Sequence, residues 1–170
     1  MRKRALISAC LLGVDCKYDG GNNRLPDEKL ARLKTEYELI PVCPEAYGGL
    51  TTPRTPSERF GDGVVSKTGR DVTAEFQRGA EAALHLAQVF DIKTAILKEN
   101  SPSCGCGMIY DGTFSGTLVP GDGVTAELLK AHGITVICES KLYRDLWADS
   151  DKEKTVLTGS FPSILHKNLR

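Results

Sequence analysis

Cysteine is the residue type with the most chemistry to offer in this chain. There are six thiols, and three fall at or just past the ends of segments that read as β-strands: Cys10 after KRALISA, Cys43 after YELIPV and Cys104 in the turn that follows TAILK. A thiolate is both a nucleophile and a soft metal ligand. Open α/β sheets bind their ligands at the carboxyl ends of their strands, so these three sulfurs, far apart in sequence, are expected to meet at one rim. A free cysteine can equally be a small buried apolar residue, and position alone leaves joint metal ligation and simple burial both open. Of the other three, Cys16 lies in a polar loop, Cys106 shares a glycine turn with Cys104, and Cys138 closes the fourth strand as the reserve ligand; spacing excludes none of them.

No CxxC pair occurs, which argues against a zinc ribbon and against a thioredoxin-type redox site. A structural zinc is therefore not expected. Soft thiolates without neighbouring histidines suit an iron-sulfur cluster. Three thiolates would leave one iron open, and a metal with a free position can act as a Lewis acid toward a substrate atom. The histidines read as structural or exposed: His85 in mid-helix, His132 at a helix end, His166 in the tail.

The elements that must deliver these residues alternate short aliphatic or β-branched runs with longer amphipathic ones, the pattern of an α/β protein with crossover helices. Pro26 opens a helix through DEKLARLKTEY with Leu30 and Leu33 on one face, and the second strand follows at once. Residues 45–63 carry too many prolines and glycines for a regular element, and long loops of this kind are often functional. VVSKTGRDV reads as a small hairpin or edge ribbon. Thr73 is placed to cap a helix with Phe76, Ala80, Ala83, Leu84 and Ala87 in an apolar stripe, where Gly79 permits close packing. TAILK is the third strand and leads into a glycine-rich stretch over 100–123, of which the loop DGTFSGTLVPGDG is expected to form a wall of the pocket. A helix VTAELLKAHG closed by Gly133, a fourth strand ITVIC and a helix around SKLYRDLWAD complete the series. The expected architecture is α/β, a single domain with a mostly parallel sheet flanked by helices in a Rossmann-like three-layer arrangement. That domain spans 1–146, with a tail over 147–170 packed on it.

A chain of 170 residues fits one domain with a substantial core and no need of disulfide staples. Lys plus Arg and Asp plus Glu both number 22, so no global basic field draws in nucleic acid or anionic lipid, and a small neutral partner is favoured. No apolar run approaches a membrane span, and the cytoplasm is the expected compartment. The glycine loop DGTFSGTLVPGDG matches no phosphate-binding fingerprint. Oligomeric state is not legible in the sequence.

The stretches SACLLG, YDGG, PVCPE, GRDVT, SPSCG and DGTFSGTLVPGDGVTAELL occur in this order and fill most of positions 5–138. In these motifs the chain resembles the thiouracil desulfidase family. The resemblance implies a 4Fe-4S cluster held by three cysteines, which map by motif onto Cys10, Cys43 and Cys104. It also implies removal of sulfur from a thiolated pyrimidine base such as 2-thiouracil to give uracil and sulfide. Such a reaction needs a base to deliver water to the carbon and a proton for the ring nitrogen or departing sulfur. Glu45, two residues past Cys43, is expected to be that base. Ser101, three residues before Cys104, is expected to relay the proton or orient the ring, with Asn100 and Ser103 touching substrate. A solvated carboxylate at a strand exit and a turn-forming serine are the rival readings of Glu45 and Ser101. The competing function is a noncatalytic iron-sulfur or thiol redox-sensing and binding module.

Overall fold

The run Lys3–Ser8 (β1) changes from exposed to wholly buried along its length, as a strand must when neighbours flank it on both sides. The computed structural model describes residues 2–148 and places β1 between Tyr37–Val42 (β2) and Thr94–Leu97 (β5), with Thr135–Cys138 (β8) outermost. All three pairings are parallel. The expected mixed α/β domain with a mostly parallel sheet is the one observed. The chain divides into two compact units, Met1–Ser140 and Lys141–Arg170. The first holds the sheet. The second begins with a π-type turn at Tyr143–Trp147, and the expected packing of the tail lies, beyond Ala148, outside the described residues.

From β1 the chain steps to β2 on one side, then crosses back to β5 and β8 on the other. Right-handed crossovers set the helix after β1 on one face of the sheet and the two later helices on the other. The first is α1, Asp27–Glu36, which follows Pro26 directly, has Asp27 and Glu28 in its first turn, and buries Leu30 and Leu33. The later two, α3 (Thr73–Val89) and α4 (Val124–Ala131), pack against each other. Around them Leu6, Val42, Ala83, Ala95, Leu97 and Leu129 form part of the main core.

Two loops expected to be irregular hold regular pieces. Pro44–Tyr47 (α2) is a single helical turn. Ser57–Phe60 (β3) pairs antiparallel with Gly63–Ser66 (β4), so the ribbon expected within VVSKTGRDV forms mainly with the segment before it, and only a Val65–Asp71 bridge joins its two halves. The Gly61-Asp62 pair between these strands is a hairpin signal, masked by the charged composition of SERF. Within the glycine-rich stretch, Met108–Tyr110 (β6) pairs with Leu118–Pro120 (β7). The Glu58 carboxylate accepts the N–H groups of Gly112 (3.0 Å) and Phe114 (2.9 Å), which ties this ribbon to β3.

The start of α3 also differs from expectation. Thr73 is its first helical residue, and Asp71 accepts the Thr73 N–H at 2.8 Å while the Thr73 hydroxyl accepts Val64 N–H at 2.9 Å. Gly79 does permit close approach: a Cβ there would run into the Pro44 carbonyl, and one on Gly48 into that of Glu75. Backbone therefore meets backbone where α3 crosses α2. Gly133, at φ +75°, closes α4 as expected.

Candidate active site

Sheet order reverses at β1, and the crevice beside such a reversal, at the carboxyl strand ends, is where α/β sheets bind ligands. A cavity of about 490 Å³ opens there, and Cys10, Cys16, Cys43 and Cys104 all line it together with Glu45 and Ser101. Cys10, Cys43 and Glu45 arrive by short extensions from the sheet, whereas Cys16 lies further along the loop after β1. The chain leaves β1 through a 3-10 turn, Ala9–Leu12, that carries Cys10. Cys43 directly follows β2, and Glu45 sits in α2 just beyond it. Asn100 and Ser101 follow β5, with Asn100 at φ +61°, a conformation that asparagine tolerates.

The turn bearing Cys104 is built by hydrogen bonds rather than by a regular element. Ser101 Oγ accepts the N–H groups of Ser103 and Cys104, each at 3.1 Å, and Gly105 N–H donates to the Ser101 carbonyl at 2.8 Å. The first turn of α4 grips it from behind, with Val124 N–H on Pro102 O and Thr125 N–H on Ser103 O, both at 2.9 Å. Ser103 is fully buried with its hydroxyl 2.9 Å from Thr125 Oγ1, behind the wall rather than among the residues that line the cavity. Asn100 and Ser101 do line it. Ser101 holds this turn and faces Glu45 at the same time. Its oxygen accepts from the turn, and its O–H lies 3.4 Å from Glu45 Oε1. Tyr110, Phe114 and Gly116 face the same cavity, so the glycine-rich stretch is its wall.

Cys16 brings a fourth sulfur that motif matching sets aside. Its hydrogen bonds to Cys10 and Cys43 push its own thiol pKa up and are the largest cause of lowered values at the other two. Asn23 adds to the effect on Cys10, with Nδ2 at 3.7 Å from Sγ. Cys43, held down to about 6, is further helped by the Ala46 N–H and by Arg54. Burial pushes the Cys104 thiol the other way. Among the described residues no three His, Cys, Asp or Glu side chains form a group that could hold a single metal ion.

Cys138 does not serve as a reserve ligand. It is disulfide-bonded to Cys106, with the Cα atoms 5.9 Å apart and both residues buried. Strand β8 pairs Cys138 with Leu97 at the outer edge of the sheet, and the Cys104 turn brings Cys106 back to it. The pair is one that the expectation of a staple-free domain misses.

Arg54 is the functional-site residue that sequence reasoning overlooked. Its guanidinium holds Glu45 Oε2 through Nε at 2.7 Å and Nη2 at 2.6 Å, with the two side chains only 9% and 17% exposed. The available signal was an arginine between prolines in a long loop with no regular pattern, TTPRTP. Lys98, also at the cavity, pairs with Glu139, and its backbone N–H donates to Ser8 Oγ at 2.9 Å.

Among the described residues no helix is long and apolar enough to cross a membrane. Residues 5–141 match the 2-thiouracil desulfurase family. The chain is 43% identical over 147 residues to the uncharacterized protein YbbK of Bacillus subtilis (strain 168), covering 81% of this chain and 96% of that protein. The solved structure of the 4Fe-4S-dependent thiouracil desulfidase TudS (DUF523Vcz) is similar at 47% identity and a TM-score of 0.82, over 88% of this chain and 99% of that one. With a family match across nearly all of the sheet-bearing unit and a structural likeness over 88% of the chain, the chain belongs to the 2-thiouracil desulfurase family.

Proposed function

We propose that the protein is a 4Fe-4S-dependent desulfidase that converts thiolated pyrimidine bases such as 2-thiouracil, with water, into uracil and hydrogen sulfide. Cys10, Cys43 and Cys104 would hold the cluster. The residues fit such a group: soft sulfur donors from three strand ends line one cavity, no histidine among the described residues lines it, and two of the three thiols are biased toward the thiolate form that metal binding requires. When bound, a cluster held by three thiolates supplies an open iron, a Lewis acid for the thiocarbonyl sulfur.

The chain's own groups do the rest. Glu45 Oε1 takes a proton from the attacking water, whose oxygen bonds to the thiocarbonyl carbon. Ser101, within reach of Oε1, returns a proton to the ring nitrogen or the departing sulfur. The carbon–sulfur bond breaks and sulfide leaves, with no change in oxidation state. Asn100 orients the base, Tyr110 and Phe114 flank it, and Ser103 supports the turn. The observation that carries this reading is the Glu45–Ser101 pair lining the same cavity as the thiols. The four thiols that line the cavity are free, as cluster binding requires.

Alanine variants test it. Anaerobic reconstitution should load about four irons per chain by the cluster's stoichiometry. Cys10→Ala, Cys43→Ala and Cys104→Ala should each lose both iron and turnover. Glu45→Ala should keep the iron and lose turnover by roughly 100-fold or more, the scale of general-base catalysis. Wild-type turnover in Glu45→Ala would remove the proposed base.

A further inference from the structure

We infer that Arg54 is a positioning residue for this reaction, one that locks Glu45 so that a single carboxylate oxygen faces Ser101 and the cavity. The inference rests on Glu45 acting as the base.

A guanidinium has five N–H donors in a fixed plane. Four hydrogen bonds and one further ion-pair contact hold it here. Nε donates to Glu45 Oε2, Nη2 lies 2.6 Å from the same oxygen in an ion pair, and Nη2 donates to the Cys16 carbonyl at 3.0 Å. Nη1 gives one to the Thr51 carbonyl at 3.2 Å and one to Thr52 Oγ1 at 3.1 Å. Arg54 N–H is anchored as well, on the Tyr18 carbonyl at 2.7 Å. The side chain is thus held by two segments of loop, residues 16–18 and 51–52, besides the carboxylate.

The fork takes one oxygen of Glu45 twice and leaves the other alone. Oε2 is occupied, while the partner of Oε1 is the Ser101 hydroxyl at 3.4 Å. Oε1 therefore keeps lone pairs for a water proton, in an orientation that carboxylate rotation cannot scramble. Without the fork, Glu45 would sample several rotamers and present either oxygen. A misplacement of about 1 Å can cost roughly 100-fold in rate. Lysine could restore the charge but not the planar double contact.

The test compares reconstituted Arg54→Ala, Arg54→Lys, Glu45→Gln and the Arg54→Ala/Glu45→Gln double variant, each measured for iron content, visible cluster absorption, kcat and KM with 2-thiouracil. Arg54→Ala should hold its iron and spectrum while kcat falls roughly 100-fold and KM stays within about threefold, the signature of lost orientation rather than lost binding. Arg54→Lys should recover part of that loss. The double variant should be no slower than Glu45→Gln, because both changes disable one unit. A crystal structure of Arg54→Ala should show Oε1 turned away from Ser101. Turnover that falls only in proportion to iron lost, in both the Ala and Lys variants, would reduce Arg54 to a strut and overturn the inference. Wild-type turnover in Arg54→Ala beside an inactive Glu45→Gln would overturn it alone, whereas wild-type turnover in Glu45→Gln would sink the base assignment beneath it.

Discussion

Cys16 is the largest influence that lowers the thiol pKa of Cys10 and of Cys43. Its hydrogen bonds to Cys10 and Cys43 favour the thiolate form of both and push its own thiol pKa up. Alkylation proceeds through thiolate. In cluster-free protein Cys43 should therefore react with iodoacetamide first. Its thiolate forms as pH rises through about 6, well under the ordinary value of 9.0, and is lost again as pH falls below that point. Cys104, whose thiol is pushed up by burial, should resist labelling until the chain unfolds. Mass spectrometry of the labelled sites across pH 5–9 checks this, and equal rates at Cys43 and Cys104 would contradict it. Legibility at this scale follows a physical divide. Cys10, Cys43 and Glu45 could be placed because they stand within two or three residues of a strand end, a position that local pattern reveals. Arg54 and Cys16 reach the site only through loop closure, which leaves no periodic trace in the sequence.

At the scale of elements, the crossing of α2 and α3 fixes where Glu45 sits. Gly79 lies in mid-helix, where alanine would ordinarily be favoured by about 1 kcal/mol. Here the sign reverses. The added Cβ meets the Pro44 carbonyl, and backbone cannot swing aside as a flexible side chain would. Gly79→Ala should cost about 1–3 kcal/mol net, the scale of core overpacking, read as a lower denaturation midpoint in cluster-free protein. A variant as stable as the parent would show that the contact relaxes freely. The long helices were legible by their periodicity, and the four parallel strands as short aliphatic or β-branched runs. The short ribbons β3–β4 and β6–β7 were not. Their strands are only 4 and 3 residues long, and Glu58 reaches across from one ribbon to the other. The Cys106–Cys138 pair was hidden for a similar reason, since it depends on the Cys104 turn returning to the outermost strand.

For the molecule as a whole, the strand order puts one thiol-bearing loop on each of three adjacent strands and gathers them at a single rim. A balanced charge leaves recognition to that cavity rather than to a long-range field. The central claim is that the cavity houses an iron-sulfur centre on which thiolated bases lose their sulfur. Sulfide release from 2-thiouracil, followed side by side for anaerobically reconstituted and iron-free protein, tests it most directly. The account predicts one sulfide per uracil formed, from the iron-loaded protein alone. Equal release from iron-free protein would contradict it.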